Sequence, residues 1–372
     1  MSSAIAARRI AASDYAGRGK AFADLSARAE APNPHMAPAA VAAALESGVA
    51  SEDIVVILAH EAARLLGVWV LHRERSLRTG FASLLTAPLI ARYGLSSAPV
   101  LDKDRAADAA LALLQAIIEA QELPKRLSLP LLPMQGSGFA ALQGALAASG
   151  STLSAFERWQ RPMLLPAAGE TAEHYLRRAF GAGYKKRMQQ HRQLRKTGAL
   201  ALRRLRGVDV AAGFAQFAAL EAAGWKGRRG TALACLPQDR DYVRRLLAGF
   251  AACDAARVDL LECDGRPIAA GLLLEVAGTS WFLKIAYDET MARFSPGRAL
   301  AIEMLCADFA AGLPFRLDSG AGDAVDPGAY PWAERLAMAH AIVALAGRTA
   351  LPPRLAAGAR MRLRRWRERR SA

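Results

Sequence analysis

Three strand-like runs in close succession, Val258 to Cys263, Pro267 to Val276 and Ser280 to Tyr287, do most to limit what this chain can fold into. Asp264-Gly265 and Gly278-Thr279 fall between them, and Asp-Gly is among the strongest short hairpin signals. The third run feeds a polar loop ending in Ser295-Pro296-Gly297-Arg298, where an amphipathic helix begins. An antiparallel meander that gives way to a helix predicts a mixed α/β plan rather than a doubly wound parallel sheet. Ser295 suits the N-cap, and Pro296 suits the first helical position, where no N–H is needed. Gly297 leaves the first-turn amides uncovered by a side chain, and Arg298 adds a fixed positive charge. Free N–H groups and the helix dipole then point the same way, which makes the helix start a ready anion site. An ordinary capped helix uses the same residues, so the flanking sequence has to decide between the two.

Upstream of the meander, Ala172 to Thr197 reads as one very basic helix stopped by Gly198. Ala199 to Leu205 follows as a strand, then Val210 to Trp225 and Asp239 to Ala252 as helices. Phe315 to Asp318 is a strand after the helix at 296–311, so the order is β-α-α-β-β-β-α-β. In the first 160 residues, helical segments over 20–50 are broken by Pro32, Pro34 and Pro38. Asp53 to Ala59 and Leu66 to Leu71 suggest a hairpin. Asp108 to Ala120 and Ser137 to Ala148 read as helices around a short apolar run, Leu127 to Leu132.

A length of 372 residues allows two domains, and 53% hydrophobic against 22% charged residues describes a globular chain. The net charge of +15 is concentrated in two places. Eleven Lys or Arg and no acid lie between Arg177 and Arg206, and eight Arg against Glu368 alone lie between Arg354 and Arg370. A near-neutral body with two basic segments suits a polyanionic ligand, nucleic acid or an anionic membrane surface, or simply carries solvated helix faces. Cys235, Cys253, Cys263 and Cys306 show no paired spacing and read as thiols in a reducing compartment, so the expected location is cytoplasmic. No metal site is expected. No apolar run approaches the ~20 residues of a membrane span, and no apolar h-region follows Arg8 and Arg9, so a secretory signal is not expected.

Four pieces together resemble an acyltransferase of the GNAT superfamily. They are the basic helix 184–197 with its Gly198 stop, Glu221 to Gly230 (EAAGWKGRRG), the strand-loop-helix KIAYDETMARFSPGRAL from Lys284, and LDSGAG from Leu317. More narrowly they resemble the BioF2-like acetyltransferase domain, whose relatives include FemAB-type peptidyltransferases and proteins encoded near cellulose-synthesis genes. The resemblance implies an α+β fold with a mixed, mostly antiparallel sheet flanked by helices. It covers residues 165–345. Residues 20–160 are similar in layout to the degenerate first GNAT unit of two-domain FemAB-like proteins, and 350–372 form a basic tail. The family holds the acyl-CoA pyrophosphate at the start of the helix after the fourth strand, which carries over to Ser295, Gly297 and Arg298. The usual pattern there is richer in glycine, and FemAB-type relatives use aminoacyl-tRNA instead of acyl-CoA.

Acyl transfer to an amine needs a neutral nucleophile and a place for its proton. Asp318, Tyr287, Asp288 and Glu221 are the options. Asp318 ends a strand before GAG, where it either looks into a cleft or closes an Asx-type turn. Asp288 reads as a loop cap. Lys284, charged within an apolar strand, faces either solvent or a cleft that holds phosphate or acceptor; the resemblance favours the cleft, and Asp318, Lys284 and Tyr287 are the catalytic candidates. Trp225 and Lys226, an aromatic beside a cation at a helix end, are candidates for binding the acceptor. No nucleophile triad is visible around His191 or elsewhere.

The expected function is N-acyl transfer, with acetyl-CoA or another acyl-CoA as co-substrate and no metal. The acceptor is an amino group of a sugar, amino acid or cell-envelope or polysaccharide precursor. Two alternatives stay open: aminoacyl-tRNA-dependent peptidyl transfer, and a non-catalytic adaptor docked on a polysaccharide or envelope assembly. The tail places Leu355, Met361, Leu363 and Trp366 among its arginines, which suits weak contact with the inner face of a membrane at about 1 kcal/mol per cation. Truncation after Thr349 should therefore reduce co-sedimentation with anionic vesicles at low salt but leave neutral vesicles unaffected. Equal sedimentation of the two proteins would remove the tail from this role.

Overall fold

The computed structural model describes residues 5–50, 53–74, 83–90, 92–312, 315–322 and 328–346. The tail at 350–372, and with it the expected membrane contact, lies outside the described residues. The chain divides into two compact units, one taking residues 1–45, 50–159 and 337–372, the other 46–49 and 160–336.

In chain order the first half contains β1 (Ile5–Ile10), α1 (Ala12–Tyr15), α2 (Gly19–Arg28), α3 (Pro38–Glu46), β2 (Ile54–Glu61), β3 (Arg64–Glu74), β4 (Leu84–Thr86), β5 (Val100–Leu101), α4 (Ala106–Glu119), β6 (Arg126–Pro133), α5 (Ser137–Ala148) and β7 (Thr152–Leu164). The second half contains α6 (Ala172–Phe180), α7 (Tyr184–Arg195), β8 (Leu200–Leu205), α8 (Val210–Ala223), α9 (Trp225–Arg228), α10 (Pro237–Ala251), β9 (Ala256–Cys263), β10 (Arg266–Val276), β11 (Thr279–Tyr287), α11 (Pro296–Ala311), β12 (Arg316–Asp318) and β13 (Glu334–Ala344).

In the first unit the strand order is β1-β2-β3-β4-β6-β13, with β5 also on β3. Only β4 and β6 run parallel in that series. The predicted hairpin is β2–β3, whose central residues are buried in unbroken runs. Gly67 on β3 lets α4 approach closely, since a Cβ there would lie 3.1 Å from Leu113 and 3.4 Å from Ala109.

Asp102, fully buried just after β5, joins three segments of this unit. Its carboxylate accepts from Arg28 Nε at 2.8 Å, Arg64 Nη2 at 2.7 Å and the Asp104 amide at 3.1 Å. Burial alone would push this carboxyl up. The hydrogen bonds from Arg28 and Arg64 outweigh burial and hold it below the usual aspartate range.

In the second unit β8, β9, β10 and β11 form the antiparallel meander, and β12 joins β11 in parallel over Thr279–Trp281. Met163 and Leu164, at the end of β7, pair with β12. The three predicted runs are thus β9, β10 and β11. The first turn uses Asp264 and Gly265, both at positive φ, as a two-residue hairpin requires. The second turn is Ala277-Gly278, one residue earlier than the sequence suggests, again with both φ positive. Helices α6, α7 and α11 pack on the sheet face that carries Leu261, Leu273 and Phe282. Helix α8 covers the other face, where Gly213 sits against Val258.

The single predicted helix over 172–197 is two helices. Thr171 caps α6 by accepting from the His174 amide, and Gly181 ends it at φ 50°, ψ −132°, a conformation reserved for glycine. Gly183 then leaves room for the guanidinium of Arg187, whose Nη1 would lie 1.5 Å from a Cβ there.

Asp102→Asn should lower the melting temperature. Because Arg28 and Arg64 are partly exposed, the expected loss is about 2 kcal/mol, below the value for a fully buried pair. The folded-state pKa is depressed, so this contribution is present above the ordinary aspartate pKa of ~3.9 and is lost as pH falls through the folded value. The gap between the melting temperatures of parent and variant should therefore narrow below about pH 4. A gap that stays constant to the lowest pH at which both proteins fold would rule out the ion pairs as its cause.

Candidate functional site

A β-bulge sets the geometry of the site. The β10–β11 register shifts between Leu272 and Leu273, so β11 contains one extra residue, Leu283. Phe282 opposes Leu273 and faces α11. After the bulge Lys284 opposes Leu272 and faces α8, whereas Ile285 and Tyr287 return to the α11 side. Strict alternation along the strand does not yield this arrangement.

Lys284 therefore meets Glu221, which is fully buried on α8. Glu221 Oε1 lies 2.9 Å from Lys284 Nζ and 3.3 Å from Lys226 Nζ, and Oε2 accepts the Leu233 amide at 2.8 Å. Lys226 also donates to the carbonyl oxygen of Ile285 at 2.8 Å. Burial pushes its ammonium below the usual lysine range. The Glu221 carboxylate opposes that shift, and the Lys284 ammonium adds to it. Glu221 and Lys226 line a small cleft of about 170 Å³ together with Leu220, Trp225, Ile285 and Tyr287, and Lys284 lies behind it against Glu221. Trp225 stands at its edge, 41% exposed, with the Arg229 guanidinium 5.4 Å from its ring centre. The sequence candidates Lys284, Tyr287, Trp225 and Lys226 are thus brought together, with Glu221 at their centre.

On the other side of Ile285 and Tyr287 lies the start of α11. Ser295 occupies the N-cap position, and its carbonyl accepts the Ala299 amide at 3.0 Å. The expected side-chain cap does not form. Ser295 is in the left-handed region, φ 52° and ψ 63°, and its hydroxyl faces Gln190 Nε2 at 3.4 Å instead of the helix amides. Gly297 has a packing reason in addition to the expected one, because a Cβ would lie 3.1 Å from Ile285 Cδ1 and 3.3 Å from Tyr330 Oη. Among the described residues no acceptor faces the Gly297 and Arg298 amides.

Arg298 donates to Gln190 Oε1 and to the Ala329 carbonyl. Burial lowers the affinity of its guanidinium for the proton, and the charge of Arg187 adds to this. Arg187, on the inner side of α7, lies 5.2 Å from the Phe180 ring centre, and its buried Nε has no partner. Among the described residues no carboxylate pairs with either arginine. Two like charges near each other without a carboxylate partner, together with open amides at the start of a 16-residue helix, are features that could receive an anionic group. Arg187 escaped residue-level reading of the sequence because it lies within a run of cations. The inward period of α7, through Arg187, His191 and Leu194, was the available signal.

Asp318 is placed differently from its catalytic reading. Its carboxylate is buried against Arg161 Nη1 at 3.3 and 3.4 Å and accepts the Gly320 amide at 2.8 Å. It closes an Asx-type turn and an ion pair, with no side-chain surface left for a substrate. Asp288 caps the following 3-10 turn through Thr290, as its sequence context suggests. His191 lies 2.9 Å from Glu303, linking α7 to α11. Among the described residues no cluster of His, Cys, Asp and Glu is arranged to hold a metal ion. A larger open groove of about 920 Å³ between α8 and α10 is floored by Phe214 and Leu247, away from these charged groups.

Asp318→Asn should reduce stability to urea by roughly 3–5 kcal/mol, the usual cost of breaking a buried ion pair. A variant as stable as the parent would reopen a chemical role for this carboxylate.

Residues 184–332 match the family model described as an acetyltransferase (GNAT) domain. A comparison with curated proteins finds no match. Among solved structures, FemX is 12% identical and superposes with a TM-score of 0.60 over 91% of this chain and 97% of its own. The DUF2156 C-terminal domain described as that of a lysylphosphatidylglycerol synthetase from Agrobacterium fabrum is also 12% identical, with a TM-score of 0.53 over 89% of this chain and 92% of its own. A conserved protein of unknown function from Bacteroides thetaiotaomicron, 12% identical, gives 0.50 over 89% and 97%. The chain therefore shares the α+β fold of these structures, and its residues 184–332 are similar to a GNAT acetyltransferase domain.

Proposed function

We propose that the second unit is an N-acyltransferase that moves an acyl group, acetyl in the simplest case, from acyl-CoA to an amino group. The acceptor class that fits is a sugar, amino acid or cell-envelope or polysaccharide precursor. The observation that carries this reading is the closeness of Arg187 and Arg298, neither paired with a carboxylate among the described residues, at a helix whose first amides are open. A diphosphate offers several oxygens to such a set, and charge-assisted hydrogen bonds to it are the strong kind. Bound there, acyl-CoA would supply an activated thioester.

The chain's own residues supply position and charge. Arg187, Arg298 and the Gly297 and Arg298 amides would hold the phosphates. Ile285 and Tyr287 form the wall between that end and the cleft of Glu221 and Lys226. Trp225 offers an exposed ring to an incoming acceptor. Tyr330, stacked on Trp332 at 4.6 Å, brings its hydroxyl over Gly297, and burial together with the nearby Tyr287 raises its pKa, which keeps it a proton donor.

One observation favours the FemAB-like alternative, transfer from aminoacyl-tRNA. Lys185, Lys186 and Arg192 on α7, and Lys196 just after it, lie exposed without carboxylate partners among the described residues. Such a stripe matches a polyanionic backbone. No described helix is long and apolar enough to cross a membrane, and a cytoplasmic location, peripheral at the inner membrane face through the tail, is part of this proposal.

Calorimetric titration of the full chain with acetyl-CoA and, separately, with total tRNA distinguishes the two donors. Acetyl-CoA should bind, and Arg298→Ala and Arg187→Ala should each weaken it about tenfold or more, since a hydrogen bond to a charged group is worth roughly 1.5–3 kcal/mol. Binding of tRNA without binding of acetyl-CoA would transfer the proposal to the aminoacyl donor.

A further inference from the structure

The Glu221 cluster has an uneven charge balance. A single carboxylate sits between two ammoniums, with the shorter contact to Lys284 and the longer one to Lys226. Lys284 is set back on β11, with its side chain 15% exposed, whereas Lys226 is 24% exposed and borders the cleft. The remaining titratable groups do not favour a second charge on Lys226. Tyr287 on β11 brings a phenol and not a carboxylate to the cleft. Glu289, on the turn after β11, is taken up by Arg228 and the Trp225 amide. Arg229 on the other side of Trp225 adds another cation. Burial and the neighbouring Lys284 charge favour loss of the Lys226 proton, and a neutral amine is a nucleophile.

We infer that Lys226 is a self-acylation site: its Nζ takes an acetyl group from an activated donor in the cleft. The inference rests on the donor reading above for the identity of the natural donor. The neutral Nζ adds to the carbonyl carbon of an acetyl thioester and forms a C–N bond. The C–S bond then breaks, and the thiolate leaves with the bonding electron pair. The proton lost by Nζ goes to that thiolate, so the products are Nε-acetyl-lysine and a free thiol. No oxidant or further reactant is needed.

An amide does not pass its acyl group on as a thioester does, so acetyl-Lys226 is not a turnover intermediate. It removes one charge, leaves Glu221 to Lys284 alone, and places an acetyl group in a cleft of about 170 Å³. That volume is well below the ~300–1,000 Å³ of pockets for drug-sized ligands, so the site suits a short acyl group. Modification would thus occlude the cleft and act as an off-switch responsive to donor supply.

The test uses the full chain in two arms, read by tryptic mass spectrometry at Lys226 against the exposed Lys185, Lys186 and Lys196. One arm is incubated with acetyl-CoA and the other with limiting acetic anhydride, which needs no donor site. Lys226 should be acetylated several-fold faster than the exposed lysines in both arms. Lys284→Met should slow it, because the remaining Glu221–Lys226 pair then favours the ammonium. Lys226→Arg should abolish the modified peptide and retain acetyl-CoA binding. Acetyl-CoA that binds by calorimetry but leaves Lys226 unmodified overturns the inference and leaves the donor reading standing. Failure of acetyl-CoA to bind, with preferential anhydride labelling of Lys226, supports the nucleophilic lysine and removes the donor reading. Uniform labelling of all four lysines in both arms overturns the inference.

Discussion

The carboxylate of Glu221 organises the second unit's chemical end. Its two oxygens reach Lys284 on the sheet, Lys226 on α9 and the amide of Leu233 in the turn before α10. Each contact crosses from α8 to a different segment, so one buried charge fixes how the helix end, the following turn and the strand lie together. Burying a carboxylate is costly unless it is paired and hydrogen-bonded, and here both of its oxygens are engaged. The charge that would otherwise destabilise the core is what orders the Trp225–Lys226 corner.

The bulge at Leu283 makes that arrangement possible. Without the extra residue Lys284 would share the face of Phe282, under α11, where an ammonium would meet the apolar cluster of Leu273 and Leu300. With it, the lysine turns to α8 while Ile285 and Tyr287 turn to Gly297. One strand thus serves two neighbouring environments, an anion-binding helix start and a charged cleft. The left-handed Ser295, twelve residues after Leu283, is the second irregularity in this stretch, and local strain of this kind gathers at functional sites.

Much of the second unit was legible in its residues. The β9–β10–β11 meander, the start of α11 at Pro296 and its end at Gly312 follow from turn chemistry, capping preference and hydrophobic period, all local properties. What escaped is non-local. Strand β13, with its run of alanines through Ala337, Ala339 and Ala341, has the composition of a helix and is a strand only because β6 lies beside it. Strand β1 carries Arg8 and Arg9 and pairs at an edge, where such residues are tolerated. Asp318 and Arg161 are 157 residues apart, so neither announces the other. Arg187 and Arg298 likewise become a pair only after α7 and α11 pack on one sheet face.

The return of β13 to the first unit orders the assembly of the chain in time. Residues 160–336 are all available before Ala337 leaves the ribosome, so the second unit can complete its sheet while synthesis continues. The first unit begins earlier but cannot finish. Its β6 keeps an open edge until Met338 to Ala344 arrive, more than two hundred residues after β6 itself. A chain interrupted just after residue 336 would hold the whole second unit and an unfinished first-unit sheet, whose β6 carries a row of unpaired amides and carbonyls. In such a molecule the late strand acts as a seal, and the older half of the protein remains exposed to wrong pairing until the younger half is made.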